Sequence, residues 1–505
     1  MLTIFVYAII IALVILGLVV YFSLIHKEKQ VYNILKSQNI PGEPFVPIIG
    51  QLPKMREYSK ADKSMEYHVD LQSKYGSVYL VSFGPVIRLV IIQPNLIADV
   101  LKKYTKFYVK PPLFRTVFMS IMGEHNLLVI EGDAHDRARK MLNPAFHFIN
   151  LQSMVSIMIK QTALAVDKWG KTANTVDLQK ELNSLTLSII ASSAFGQAFE
   201  TNAKAKDVIL NSAVSVLDAI YYRSADVPIN QMPFLNKLPL FKKQVIDQGS
   251  KRIAEIVQQM VNERRMGTNQ SLCNGNDLLD LLLTARDQDG KGFNEQEIKD
   301  EAMAFVLAGH ETTGNLMVWC MYILMTHSDV YQDCCDEVDR VLKDQPLNNA
   351  QLNELHIIEA VLQETLRLYP PAPFIVRQCI YEHSIGSGEN QIRLPVGATV
   401  LLNTYALHRS AQYWRDPLSF DYKRWMRNVD GVKPKLSHPF CYLPFSAGNR
   451  NCIGQNFAML EAKVILAMLV QRLHFEIVPG QKIVPILRIT MKTKYGLQAK
   501  ITRRF

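Results

Sequence analysis

The chain lacks the signatures that would place it at first sight. Its seven cysteines, at positions 273, 320, 334, 335, 379, 441 and 452, form no CxxC pair, so neither a zinc module nor a disulfide framework is indicated. In a reducing compartment they are expected to be free thiols. No G-x-G-x-x-G and no phosphate loop occurs, which leaves no evident site for a nicotinamide or flavin nucleotide. There is no repeat of fixed period and no low-complexity tract. With 48% hydrophobic residues the chain can bury a sizeable core, which argues against disorder. The net charge is +10, but the basic residues are dispersed, with no basic helix and no aromatic RNA-binding pattern. Nucleic acid is therefore not an expected partner. An anionic membrane surface or an acidic protein accounts for the excess more simply.

What the N-terminus does have is one long apolar run, Leu2 to Ile25. At ~1.5 Å per residue it spans a hydrocarbon core of ~30 Å. A cleaved signal peptide has an apolar stretch of only ~7–15 residues behind a positive start, and this run has no such start. Lys27, Lys29 and Lys36 follow it instead, which by the positive-inside rule puts the N-terminus in the lumen and the remainder in the cytosol. The expected organisation is a signal-anchor over 1–26, a basic Pro/Gly-rich linker over 27–50, and one catalytic body over 51–505. Pro41, Gly42, Pro44, Pro47 and Gly50 make the linker a stiff elbow. No Arg-rich amphipathic presequence precedes the run, which argues against mitochondrial import.

Val78–Phe83 and Val86–Ile92 read as two strands joined at Gly84-Pro85. From about Asn95 the pattern is mostly helical, as in Leu151–Trp169, Leu182–Phe195 and Ile246–Arg265. Val227–Lys243 mixes prolines, apolar residues and lysines. It reads either as a loop packed on the core or as a segment dipping into the bilayer interface.

Four stretches carry chemistry. Asn294 and Glu297 form a capping box, and the helix they start extends to about His327, through the polar step Ala308-Gly-His-Glu-Thr-Thr313. Buried carboxylates and hydroxyls are costly without partners, so this step is expected to face water or a cavity. Gly309 and Gly314 would also allow a break there. If the helix is continuous, Thr312 can bond back to the carbonyl four residues earlier and open a groove, and Glu311 and Thr312 can relay protons. Leu352–Tyr369 reads as a helix stopped by Pro370-Pro371, with Glu364 and Arg367 three apart on one face. Glu131-Gly-Asp-Ala-His135-Asp-Arg-Ala-Arg139 supplies basic groups. Finally, Phe445-Ser-Ala-Gly-Asn-Arg-Asn-Cys-Ile-Gly454 sets Cys452 between glycines just before a helix, where N–H groups and the helix dipole can stabilise a thiolate. A buried free cysteine beside a glycine turn is the plainer reading of that loop alone.

In this order and spacing the four stretches resemble the cytochrome P-450 family, microsomal membrane-anchored type, from the anchor to about Pro479. The resemblance implies a mainly α fold with a smaller β-rich lobe, preceded by one transmembrane helix. It implies haem b (iron protoporphyrin IX) with Cys452 as the iron ligand, in a loop whose Phe445, Gly448, Arg450 and Gly454 are all in register. Glu311 and Thr312 match the oxygen-activation step, whereas the position of His310 varies in the family and has no assigned role. Glu364, Arg367 and Arg424 match a structural ion cluster, although Tyr422 and Lys423 replace the usual proline and acidic residue before Arg424. Arg139, Arg377 and Arg450 are implied as partners of the haem carboxylates, with Arg115 and His408 as further candidates. His135 stands where a tryptophan is usual; its N–H could replace the indole donor, with less stacking area and the possibility of protonation.

The implied reaction inserts one atom of O2 into a lipophilic substrate (a fatty acid, sterol or xenobiotic), and the second atom leaves as water. The implied partners are NADPH-cytochrome P-450 reductase and, at times, cytochrome b5, at the cytosolic face of the endoplasmic reticulum membrane. Arg137, Arg139, Lys140, Lys433, Lys435 and Lys463 are the expected basic patch for an acidic partner. Oxygen-independent rearrangement of peroxides and non-catalytic haem carriage are the competing functions. Intact Glu311-Thr312 weighs against the first, and NADPH-driven oxygen consumption would exclude the second.

Overall fold

The computed structural model describes all residues except 172–174, 203, 227–237, 274–275, 344, 429–430, 433 and 505. An apolar helix α1 (Leu2–Val20) continues through a wider turn (Tyr21–His26) into the helix Lys27–Lys36. Among the described residues, Ile4–Lys36 is the one helix long and apolar enough to cross a membrane. Its C-terminal part is folded onto the body, since Val31 and Leu35 are buried. The proline-rich elbow continues that attachment, with Gly42 bridged to Leu80 and Gly50 to Phe83.

Strands β1 (Val78–Phe83) and β2 (Val86–Ile91) pair antiparallel around Gly84-Pro85, as their apolar patterns predict. With β3 (Tyr108–Val109), β4 (Phe374–Cys379) and β5 (Thr399–Asn403) they build a five-stranded sheet in the order β1-β2-β5-β4-β3. Its strands come from both ends of the chain, so the β-rich lobe closes only when residues near 400 return to residues near 90.

The rest is mostly helical. The elements that position the site are α2 (Gly132–Leu142), α3 (Leu178–Phe195), α4 (Glu295–Thr326), α5 (His356–Leu368) and α6 (Gln455–Arg472). The capping box at Asn294 and Glu297 is present. The helix it starts runs 32 residues without a break. Its glycines serve packing: a Cβ at Gly309 would lie 3.0 Å from Ile190, and one at Gly314 would lie 2.0 Å from Asn183 Oδ1, both on α3. The helix expected to start at Leu352 begins at His356. Glu337 accepts the backbone N–H groups of His356, Ile357 and Ile358 at 2.8–2.9 Å, so a carboxylate from the helix Ser328–Leu342 sets the start.

Most of Val227–Lys243 lies outside the described residues. The part that is described carries Leu238, Leu240 and Phe241 exposed to solvent.

Candidate active site

Cys452 sits on a loop closed by its own backbone. Its N–H donates to Phe445 O at 2.9 Å, and Asn451 N–H donates to Gly448 O at 3.1 Å. Gly448 has φ +72°, and a Cβ there would lie 1.9 Å from the Leu101 carbonyl oxygen. No larger residue fits without moving the loop. Gly454 caps α6, and its N–H points at the cysteine sulfur. A Cβ at Gly454 would meet Cys452 Sγ at 4.0 Å and nothing nearer. Cys452 is accessible to solvent although protein surrounds it, which is the mark of a cavity wall. That enclosure pushes the thiol pKa up, while the Gly454 N–H and the Arg139 charge pull it back.

Arg139 is committed to this loop. Its Nη1 and Nη2 donate to the backbone and side-chain oxygens of Asn451, both at 2.7 Å, and its Nε donates to Asn143 at 2.9 Å. A guanidinium so used steadies the cysteine loop.

The polar step of α4 presents a second accessible surface. Thr312 Oγ1 donates to Ala308 O at 2.8 Å, the back-bond that the residue spacing predicts. Ala308 is exposed in mid-helix although Leu307, His310 and Glu311 beside it are buried. The open stripe therefore lies on the Ala308–Thr312 face. His310 points elsewhere: its ring contacts Val306 O at 3.0 Å, and its carbonyl accepts from Thr186 on α3 at 2.8 Å.

Four charged groups gather beside the cysteine loop. Arg450 donates to Ile130 O at 2.8 Å and pairs with Glu131. Lys110 donates its backbone N–H to Glu131 at 2.8 Å and its ammonium to Leu128 O. Arg377 completes the group; it and Lys110 are each 8% exposed. Burial, together with mutual repulsion, holds Lys110 well below the usual lysine range and lowers Arg377 to about 10. Lys110, Arg377 and Arg450 thus gather around Glu131, with Asp136 also near Arg450, an arrangement that leaves room for further negative charge. The propionates of a haem match that excess in sign.

Lys110 is a contributor that sequence reasoning missed. A lone lysine before Pro111-Pro112 carries no signal of burial. His408, a candidate for the same role, is excluded from it by its contacts. Its Nε2 accepts from Leu443 N–H at 2.9 Å and its Nδ1 meets Arg367 O at 3.2 Å.

The ion cluster is built as the ExxR pattern implies. Arg367 and Glu364, both fully buried, form two bonds at 2.8 and 2.9 Å. Arg424 reaches Glu364 at 3.1 Å in spite of the altered residues before it. Trp425 Nε1 and the Asp421 N–H complete the carboxylate shell at 2.9 and 3.0 Å. Arg367 also donates to the carbonyls of His408, Pro417 and Ser419, so it pins both ends of the irregular segment 408–421.

The expected basic patch is largely spent inside the molecule. Lys463 is 8% exposed and pairs with Glu359 at 3.2 Å, and Arg137 pairs with Asp287 and Glu297 at 2.7 and 3.3 Å. Lys433 lies outside the described residues. Lys140 and Lys435 remain exposed, as do Lys102, Lys103 and Lys106 on the segment whose Leu101 carbonyl abuts Gly448.

An enclosed cysteine on a glycine loop, a hydroxyl and a carboxyl group on a long helix with an open stripe, and a cation group beside the cysteine loop are the parts of a haem-thiolate monooxygenase. The cytochrome P450 family model matches residues 40–500, and the chain belongs to that family. It is 28% identical over 494 residues to cytochrome P450 72A15 of Arabidopsis thaliana, covering 94% of this chain and 93% of that protein. It is 29% identical over 445 residues to the ultra-long-chain fatty acid omega-hydroxylase of Homo sapiens, covering 84% of this chain and 81% of that enzyme. It is likewise 29% identical over 437 residues to 11-oxo-beta-amyrin 30-oxidase of Glycyrrhiza uralensis, covering 84% and 80%. The fold matches the crystal structure of the cytochrome P450DA heme domain with a TM-score of 0.78 at 23% identity, covering 92% of this chain and 98% of that one. The cofactor is haem b, and the reaction draws on O2, a lipophilic substrate and a redox partner.

Proposed function

We propose that the chain is a membrane-anchored lipid hydroxylase in which Cys452 Sγ is the axial ligand of haem iron. The observation that carries this reading is that Cys452, on its loop, and the Ala308–Thr312 stripe of α4 are each accessible although their neighbours are buried. When bound, haem supplies the activation of dioxygen, and a thiolate ligand favours cleavage of its O–O bond. Lys110, Arg377 and Arg450 hold the haem carboxylates. Thr312 Oγ1 and the Glu311 carboxyl hold and pass the protons consumed as one oxygen atom leaves as water. Phe445, Gly448 and Gly454 keep the sulfur at its place, and Glu364, Arg367 and Arg424 fix the surrounding loops without entering the chemistry.

The substrate class is an apolar lipid, a fatty acid or a sterol-like skeleton, ahead of xenobiotics. The names of the omega-hydroxylase and amyrin-oxidase relatives support that ranking. Electrons come from NADPH through NADPH-cytochrome P-450 reductase, with cytochrome b5 as a second donor. Lys102, Lys103, Lys106 and Lys140 are the candidate contact residues for an acidic partner. The chain is placed in the endoplasmic reticulum membrane, with residues 1–26 as anchor, 27–50 as linker and 51–505 as catalytic body on the cytosolic face.

The test is spectral. The reduced carbonyl complex is expected to show the red-shifted thiolate-haem Soret band, and Cys452→Ser to abolish it; persistence of the band in the variant overturns the ligand assignment. Titration with a fatty acid and sterol panel then reads substrate class, and an absent spectral response to all of them rejects the lipid reading.

A further inference from the structure

The β-rich lobe carries a cation that the protein leaves without an acceptor. Arg88 of β2 stands directly opposite Val81 of β1 and Thr399 of β5, so the three side chains share one face of the sheet. The guanidinium lies 4.5 Å over the Phe83 ring, and its buried Nε has no hydrogen-bond partner. Among the described residues, no carboxylate or carbonyl accepts a hydrogen bond from this side chain. Glu28, the acidic group facing it, is engaged by the Ile87 N–H at 2.8 Å. The Thr399 hydroxyl, in a residue 3% exposed, is equally without a partner.

The helix Glu66–Tyr75 covers this face. Its Tyr75 packs on Tyr79, and its His68 meets the ring of Phe374, which stands opposite Asn403 on the same face. His68 is 7% exposed, and its Nδ1 is buried with no partner. Arg88 is the charged group facing that imidazole. A guanidinium cannot accept a hydrogen bond, whereas a hydroxyl and a neutral imidazole can each donate one. The unmet capacity is therefore donor capacity around a fixed positive charge, which is costly to enclose unless an anion meets it.

The surroundings of this group are apolar and lead to α4. Val69, Phe374 and Leu487 are partly buried around Met65, Tyr405 and Met491. Leu487 and Met491 pair in a hairpin tied to α4, because Asn315 Nδ2 donates to Thr490 Oγ1 at 2.9 Å. Asn315 lies about one helical turn beyond Thr312. We propose that Arg88, with His68 and Thr399, binds the carboxylate of a long-chain fatty acid whose hydrocarbon crosses the Phe374–Leu487 cluster toward the Ala308–Thr312 stripe. The site selects an acid over an alcohol or a sterol, and it brings the carbons remote from the carboxylate to α4. The inference rests on the reading of Cys452 and α4 as the seat of a lipid hydroxylase.

The experiment is a spectral titration of the full-length holoprotein in phosphatidylcholine nanodiscs, with palmitic acid and with hexadecan-1-ol. The two ligands share a chain length and differ in charge, and affinities are referred to their concentration in the lipid. Wild type is expected to bind the acid roughly tenfold to hundredfold more tightly, the scale of a hydrogen bond to a charged group. Arg88→Gln should remove that preference by weakening the acid alone. His68→Phe should weaken the acid by about twofold to tenfold, the scale of a neutral hydrogen bond. With NADPH and reductase, wild type should oxidise the acid toward its methyl end. Equal affinity of wild type for acid and alcohol overturns the proposal, and so does oxidation beside the carboxylate; neither result depends on a variant that folds. An Arg88→Gln protein that keeps the preference overturns it as well. A response to neither ligand rejects the lipid reading together with this one, whereas an equal response to both rejects this one alone. The reduced carbonyl spectrum of each variant shows whether its haem seat is intact.

Discussion

Two charged clusters flank the cysteine loop, and they are built on opposite terms. Around Glu364 the buried donors are met within the protein: Arg367 saturates itself on one carboxylate and three carbonyls, and Arg424 adds Glu364 and Asp416 O. Around Glu131, Lys110, Arg377 and Arg450 share one carboxylate and a few carbonyls. Net charge does not separate the two, since both are positive. Saturation does. A cluster complete within the protein holds the fold, and a cluster left short of acceptors is shaped for a ligand that brings them.

The largest expected effect comes from breaking the complete cluster. Glu364→Gln would leave two arginines facing a neutral amide in a buried site. That should cost ~3–5 kcal/mol, as for other broken buried pairs. Urea unfolding of the haem-free protein measures it. The loss should appear without haem, because Glu364 and Arg367 are satisfied by protein alone. A variant that unfolds like wild type when haem-free but fails to retain haem would move Glu364 into the ligand-facing class.

Lys110→Met tests the other cluster and should give the reverse pattern. Haem affinity should fall by ~10–100-fold, the usual scale for supporting contacts around a bound metal group. The haem-free protein should be no less stable, since an enclosed cation repelled by Arg450 and Arg377 is removed. The pH dependence carries a sign. Lys110 titrates lower when folded than when unfolded, so the unfolded chain binds more protons in the interval between the two values. Haem-free stability should therefore rise with pH through that interval in wild type, and this component of the slope should vanish in the variant. Stability that falls with pH there would mean that Lys110 has an acidic partner in the folded protein.

The two clusters also differed in how far they could be read from sequence. Glu364 and Arg367 lie one helical turn apart, so their spacing alone places both on one face, and the family pattern added Arg424. Continuity of α4, the capping box and the Thr312 back-bond were likewise local, and local geometry follows from residue order. The charge-deficient cluster joins residues 110, 131, 377 and 450 from four separate elements. No spacing rule connects them, and Lys110 was invisible for that reason. Lys463 misled for a related one. A basic residue in a motif declares its charge but not its partner, and here the partner is Glu359. The glycines of α4 were ambiguous between a break and a close approach until Ile190 and Asn183 were seen against them.

The smallest expected effect lies at the edge of the complete cluster. Arg424 is 13% exposed in its side chain, and Glu364 keeps Arg367, Trp425 Nε1 and the Asp421 N–H when Arg424 changes. Arg424→Lys preserves the charge but replaces a planar fork with a single ammonium, so the Nε bond to Glu364 and the Nη2 bond to Asp416 O cannot both be kept. One neutral-scale hydrogen bond is lost, ~0.5–1.5 kcal/mol. Urea midpoints for the haem-free protein should register that loss, while the rate of haem transfer to apomyoglobin stays at the wild-type value. Faster haem loss in Arg424→Lys would show that the two clusters are mechanically coupled through the segment that Arg367 pins, and the division between a fold-holding and a ligand-holding cluster would then apply to their chemistry but not to their energetics.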